Sequence, residues 1–159
     1  MTIYSLWIFD RHCNCIFDRE WTLKSNQASG TTNSKQNEDT AKLIYGMVFS
    51  LRSIAQKLSR NESRNEIRTI ATGKYRAHIL CTATGLWFVI LSDLKQEDLS
   101  HVLRYIYSEI YVNYVANNWL GPIDFAETEQ EKRGQGTRKI TNRNFVRGIE
   151  QFLSPMVTR

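Results

Sequence analysis

The stretch TGKYRAHILCTATGLWFVILSDL, residues 72–94, decides the fold. Residues 75–82 and 86–92 are strand-like runs, and Ala83-Thr84-Gly85 between them is turn chemistry, so the stretch reads as a hairpin. A further strand-like run, 67–72, joins it from upstream through Thr72-Gly73-Lys74. The run LWFVIL at 86–91 is apolar on both faces, which places it in the middle of a sheet. His78 and Cys81 are three apart in an alternating run, so their side chains leave opposite faces and make an improbable catalytic pair.

Working outward, IYSLWIFD at 3–10 and CIFDREWTL at 15–23 carry large apolar residues among polar ones and read as an opening hairpin. Residues 24–39 are Ser, Asn, Gln, Thr and Gly with almost nothing apolar, which predicts a flexible polar insertion loop. The period then changes from two to 3.6. Leu43, Ile44, Met47, Val48, Leu51, Ile54, Ala55 and Leu58 share one side of a helix from about 39 to 59, with Glu38, Asp39 and Thr40 as start signals. A second helix runs from Gln96 to about Asn117, with Leu99, Leu103, Ile106, Ile110 and Tyr114 on its core side and Gly121-Pro122 as its stop. Residues 124–143 read as a polar loop and 144–153 as a short last helix. The order β-β-α-β-β-β-α-α predicts an α+β fold: a mainly antiparallel five-stranded sheet with helices packed on it, in a single domain spanning 1–159.

A chain of 159 residues with 42% hydrophobic residues describes one ordinary globular domain. No apolar run reaches the ~18 residues of a membrane span, and no basic leader precedes the first apolar stretch. Three cysteines, Cys13, Cys15 and Cys81, predict reduced thiols. His12, Cys13 and Cys15 lie close together, but C-x-C lacks a second ligand pair downstream, so no metal site is expected. Phosphate-loop, dinucleotide, zincin and nucleophile-elbow motifs are all missing, and no cofactor is implied. Asp10, Asp18 and Glu20 lie in the opening hairpin, where such carboxylates usually form its solvated face. Asn61-Glu62-Ser63 matches a glycosylation sequon by chance in a chain without a leader.

The net charge of +5 is unevenly spread. Eight basic residues between Lys42 and Arg76 face only Glu62 and Glu66, whereas the sign reverses from Asp93 to Glu131 and the tail is basic again. The central order α-β-β-β-α is also that of a duplex-RNA-binding domain, but Asp93, Glu97 and Asp98 open the second helix where phosphate would have to bind. Nucleic acid is therefore not the expected partner.

On the first helix, Met47, Leu51, Ile54 and Leu58 define the predicted core side. Tyr45, Phe49, Arg52 and Gln56 then group on the opposite side, types enriched at protein interfaces, and Gly46, Ser50 and Ser53 admit a close backbone. Tyr105, Val112 and Val115 repeat the theme on the second helix, where the last helix could cover them.

Four long segments, YSLWIFDR at 4–11, LIYGMVFSLRS at 43–53, the 72–94 stretch and YIYSEIYVNYVANNWL at 105–120, resemble in this order the subunit-one family of TRAPP, the trafficking protein particle complex. The polar insertion suggests a fungal member. The resemblance implies a longin-like (SNARE-like) fold, with one helix on one sheet face and two on the other. It also implies a non-catalytic core subunit of a tethering complex, part of the guanine-nucleotide exchange platform for a Rab-family GTPase in endoplasmic reticulum to Golgi vesicle transport. Its implied partners are a sister longin-like subunit, lipid-pocket-family subunits and the GTPase. Its implied location is the cytoplasmic side of cis-Golgi and endoplasmic reticulum to Golgi membranes. Alternatives are a stand-alone longin-type trafficking module, whether SNARE regulator or adaptor small subunit, and more remotely the RNA-binding domain. Lys57, Arg60, Arg64 and Arg68 then form a basic face toward the membrane or a neighbouring subunit.

Overall fold

A computed structural model of the chain describes residues 2–22, 29–59, 66–95, 98–121 and 139–157. Among these residues six strands form one sheet: β1 (Ile3–Phe9), β2 (Cys15–Thr22), β3 (Ser29–Thr32), β4 (Thr69–Ala71), β5 (Arg76–Cys81) and β6 (Trp87–Ser92). Their order is β3-β2-β1-β6-β5-β4, with every neighbour antiparallel. The 72–94 hairpin meets the opening hairpin through β6 and β1, so the doubly apolar run lies inside the sheet. Gly85, at φ +82°, supplies the left-handed residue of the β5–β6 turn.

The sheet separates two cores. Leu6 and Ile8 of β1 and Phe88 and Ile90 of β6 face one side, Trp7, Phe9, Trp87 and Val89 the other. Among the described residues the second side carries only α1 (Glu38–Leu58), entered through a 3-10 turn at Lys35–Asn37. The first carries α2 (Ser100–Tyr105), its π-helical continuation Ile106–Ala116, and α3 (Arg143–Leu153). Asp98 starts α2, accepting hydrogen bonds from the Ser100 N–H at 2.8 Å and its hydroxyl at 2.6 Å. Under these helices Phe145 meets Phe17 edge-on at 5.1 Å and Tyr111 meets Phe88 at 5.6 Å.

Three expectations need correction. The sheet has six strands among the described residues, because β3 forms within the segment read as a flexible loop; residues 24–28 of that segment lie outside the described residues. Polar composition limits burial, not main-chain pairing, and β3 pairs with β2 at the edge under the Arg19 side chain, whose Nη1 donates to the Gly30 carbonyl at 2.9 Å and to the Thr32 hydroxyl. A Cβ at Gly30 would lie 2.6 Å from the Glu20 carbonyl oxygen, so the register needs glycine there. Second, the π winding rotates the helix after Ile106 so that Tyr111 takes the inner position expected for Tyr114, which is 39% exposed. Third, Asp10 and Asp18 are buried rather than solvated. Asp10 accepts from the N–H groups of His12 and Asn14, both at 2.8 Å, and closes the β1–β2 turn. Asp18 accepts from the Ser34 N–H, the Asn37 amide at 2.9 Å and Lys139 Nζ at 2.6 Å. It thereby ties β2, the entry to α1 and the strap before α3 together, and leaving Lys139 unpaired would cost about 3–5 kcal/mol. The predicted 124–143 loop lies mostly outside the described residues; its end, Lys139 and Ile140, runs along β2, where the Ile140 N–H donates to the Ile16 carbonyl at 2.7 Å.

Candidate functional site

Helix α1 is where residue chemistry is left over once the fold is built. Its buried positions are Ala41, Ile44 and Val48, small or β-branched side chains that fit over the wide aromatic floor of Trp7, Phe9 and Trp87. That floor sets the helix rotation. Tyr45 and Arg52 turn inward as a result: the Tyr45 ring lies 5.4 Å from Phe9 and 6.0 Å from Trp87, and the Arg52 guanidinium sits 4.8 Å above the Trp87 ring. The Cys13 thiol donates to the Tyr45 hydroxyl at 2.9 Å. Burial, then this thiol contact, pushes the Tyr45 phenol up to about 12. Burial likewise pushes the Cys15 thiol up to about 12, so that sulfur stays protonated and unreactive.

The structure brings Tyr45, Phe49 and Arg52 into one group, but not as a free patch. Tyr45 and Arg52 are half-buried on their own sheet; Phe49, stacked on Tyr45 at 6.1 Å, is 53% exposed, and Gln56 is half-buried. The core side of α1 is turned by roughly a quarter of the helix circumference from the predicted one: Ile44 and Val48 of the predicted set are buried, the others less so. Ile54 and Leu58 stand 53% and 81% exposed, joined by Leu43 at 74%, while Met47 and Leu51 are half-buried beside them. At 100° per residue these five form a ridge spanning about 80° of the helix surface. Next to the ridge lie Gly46 and Ser50, and a Cβ at Gly46 would meet nothing within 4 Å. Burying each exposed leucine against another protein would contribute about 1.5–3 kcal/mol. Sequence reasoning missed this ridge, although its signal was present: the apolar arc of α1 is about 160° wide, more than one helix on a sheet can bury.

Of the predicted basic face, Lys57 and Arg68 are exposed, and Arg60 and Arg64 lie outside the described residues. Trp119 and Leu120, at the end of the π-helix, are almost wholly exposed and were not singled out from sequence. On the second helix, Tyr105 stacks on Phe152 of α3 at 4.4 Å and Val115 packs on the core, so α3 does cover that side. Among the described residues no three His, Cys, Asp or Glu side chains group at metal-binding distance, and no helix is long and apolar enough to cross a membrane.

An antiparallel sheet with one helix on one face and two on the other is the architecture of a longin-like domain. The chain belongs to the Sybindin-like family, whose model matches residues 3–128. It is 70% identical over 159 residues, the full length of both chains, to the trafficking protein particle complex subunit BET5 of Saccharomyces cerevisiae. It is 34% identical to the transport protein particle subunit bet5 of Schizosaccharomyces pombe, with 96% of this chain and 100% of that protein covered. It is also 34% identical to trafficking protein particle complex subunit 1 of Homo sapiens, over 77% of this chain and 81% of that one.

Proposed function

We propose that this chain is a non-catalytic core subunit of the trafficking protein particle complex. There it helps to form the exchange platform on which a Rab-family GTPase loses its nucleotide during transport from endoplasmic reticulum to Golgi. The observation that carries the reading is full-length identity of 70% to a subunit of that complex, together with an apolar α1 surface left exposed among the described residues. Exchange of this kind needs no bond-making group. A surface that holds the nucleotide-free GTPase more tightly than the loaded form lowers nucleotide affinity by the same coupling free energy.

In this reading the partners are a sister longin-like subunit, lipid-pocket-family subunits and the GTPase, and residues 1–159 act as one longin-like domain. α1 docks a sister subunit through Phe49 and Gln56 on one flank, with Tyr45 and Arg52 holding that flank rigid, and through the Leu43 to Leu58 ridge on the other. The assembly is cytoplasmic and peripheral on cis-Golgi membranes, with Lys57, Arg60, Arg64 and Arg68 turned toward an anionic membrane or a neighbouring subunit.

Affinity purification of the tagged full-length chain from fungal cells tests the assembly. The wild-type chain is expected to bring down the other subunits, and Leu43→Glu with Leu58→Glu, or Phe49→Glu, to lose the sister subunit while circular dichroism stays unchanged. Assembly that survives changes on both flanks overturns the α1 assignment; a wild-type chain that brings down no such subunit overturns the function. Charge reversal at Arg60, Arg64 and Arg68 is expected to weaken binding to anionic liposomes or recruitment to Golgi.

A further inference from the structure

β5 outlasts its neighbour. β4 pairs with it only as far as His78, and one further bond, from the Ile79 N–H to the Arg68 carbonyl at 2.8 Å, closes the ladder. The Thr82 N–H points the other way, to the Leu86 carbonyl at 2.8 Å. By the alternation of an antiparallel ladder, the Cys81 N–H and C=O therefore face the side that β4 has left.

At this open end lies a cavity of about 40 Å³. That exceeds the roughly 10–15 Å³ needed to admit one water and gives room for a carboxylate. Arg52 enters it from α1, Arg68 from the approach to β4, and Ser100 and Arg104 from α2, so both helix layers contribute at the sheet edge. Glu66 is the one carboxylate among its lining residues. Among the described residues, none of the three arginines stands within ion-pair distance of a carboxylate. Arg52 is already fixed by Trp87 at 4.8 Å and by the Cys81 sulfur at 3.9 Å, so little ordering entropy remains to be lost on binding.

We infer that this notch binds an extended acidic segment of a partner protein, which continues the sheet beside Cys81 and seats one carboxylate among Arg52, Arg68 and Arg104. Charge complementarity selects the acidic side chain, and the strand edge beside Cys81, unpaired among the described residues, selects an extended backbone. A lipid headgroup would use the arginines but neither the Cys81 backbone nor the apolar floor of Ile67 and Leu80. The inference stands apart from the assembly reading above, because it needs no other subunit to be tested.

The test titrates the isotope-labelled full-length chain with a capped heptapeptide of alternating Val and Asp, its Val/Asn analogue, and an analogue with proline at its centre. Phosphatidylserine/phosphatidylcholine vesicles form a separate arm. The Val/Asp peptide is expected to shift the Cys81 amide first, with the Val/Asn and proline analogues each roughly tenfold weaker, about 1.4 kcal/mol. Arg104→Glu and Arg68→Glu, both at exposed positions, are each expected to weaken the Val/Asp peptide by a similar factor with unchanged circular dichroism. Equal binding of the Val/Asn peptide, shifts spread over the surface away from β5, or no saturable binding overturns the inference. Vesicle binding that falls with Arg104→Glu, without peptide binding, assigns the notch to a lipid surface instead.

Discussion

Between the sheet and the layer of α2, its π-helical continuation and α3, the side chains of Phe17, Phe88, Leu99, Leu103, Phe145 and Ile149 are all buried, and even the outward Tyr105 is stacked on Phe152. Beneath α1 the opposite face buries Trp7, Phe9 and Trp87, but the helix above them holds only Ala41, Ile44 and Val48 down and leaves Leu43, Ile54 and Leu58 in water. The difference is one of neighbours. Two helices side by side cover a sheet face and also each other's flanks; among the described residues no second helix lies beside α1. Among the described residues the first face buries its apolar side chains, and the second leaves those on the flank of α1 exposed.

The largest effect should come from the complete face. Phe145→Ala removes a ring that meets both Phe17 and Tyr111, and is expected to cost about 3–5 kcal/mol in urea unfolding of the isolated chain. Val48→Ala on the α1 face removes a smaller group from a shallower core and should cost about 1.5–2.5 kcal/mol. Equal costs would mean that the two faces are packed alike.

A smaller effect concerns pH. His78, on the α2 side of β5, lies 2.8 Å from the Ser92 hydroxyl, which itself donates to the Asp93 carbonyl. The imidazole therefore donates through Nε2, and Nδ1 is buried without a partner among the described residues. Burial, then the Arg76 charge, lowers the His78 pKa below its usual value, with Asp98 pulling the other way. Between the lowered folded value and the ordinary unfolded one near 6.5, the unfolded chain binds more protons. Stability is thus fully present above about pH 6.5 and declines as pH falls through and below it. Urea midpoints at pH 7.5 and 5.5 should diverge in the wild-type chain and converge in His78→Gln. An unchanged difference in the variant assigns the pH dependence to other groups.

How much of this was legible from sequence depended on whether one position or a long-range partner decided the outcome. LWFVIL could sit only inside a sheet, because both of its faces are apolar, and the order of elements followed from turn chemistry. The rotation of α1 was not legible, since Ile44 and Val48 on one half of its arc are as apolar as Ile54 and Leu58 on the other. What settled it was Trp87, more than thirty residues away, whose ring takes Arg52 and Tyr45. β3 and Asp18 were hidden for the same reason. Ser29–Thr32 is held by β2 and Arg19, and the buried Asp18 is satisfied by Ser34, Asn37 and Lys139, all distant in sequence.

The smallest expected effect is the most informative about α1. Leu43→Gln and Leu58→Gln exchange side chains already in water, so each should change the stability of the isolated chain by no more than about 0.5 kcal/mol. Their effect should be confined to association, because removing an apolar group from the ridge costs the bound state what burial would have contributed. A stability loss as large as that of Val48→Ala would show that the chain itself covers this flank, and the contrast between the two faces would collapse. No stability loss with assembly intact would leave the contrast standing and move the contact to the Phe49 flank. Measuring unfolding and co-purification on the same two variants separates these outcomes.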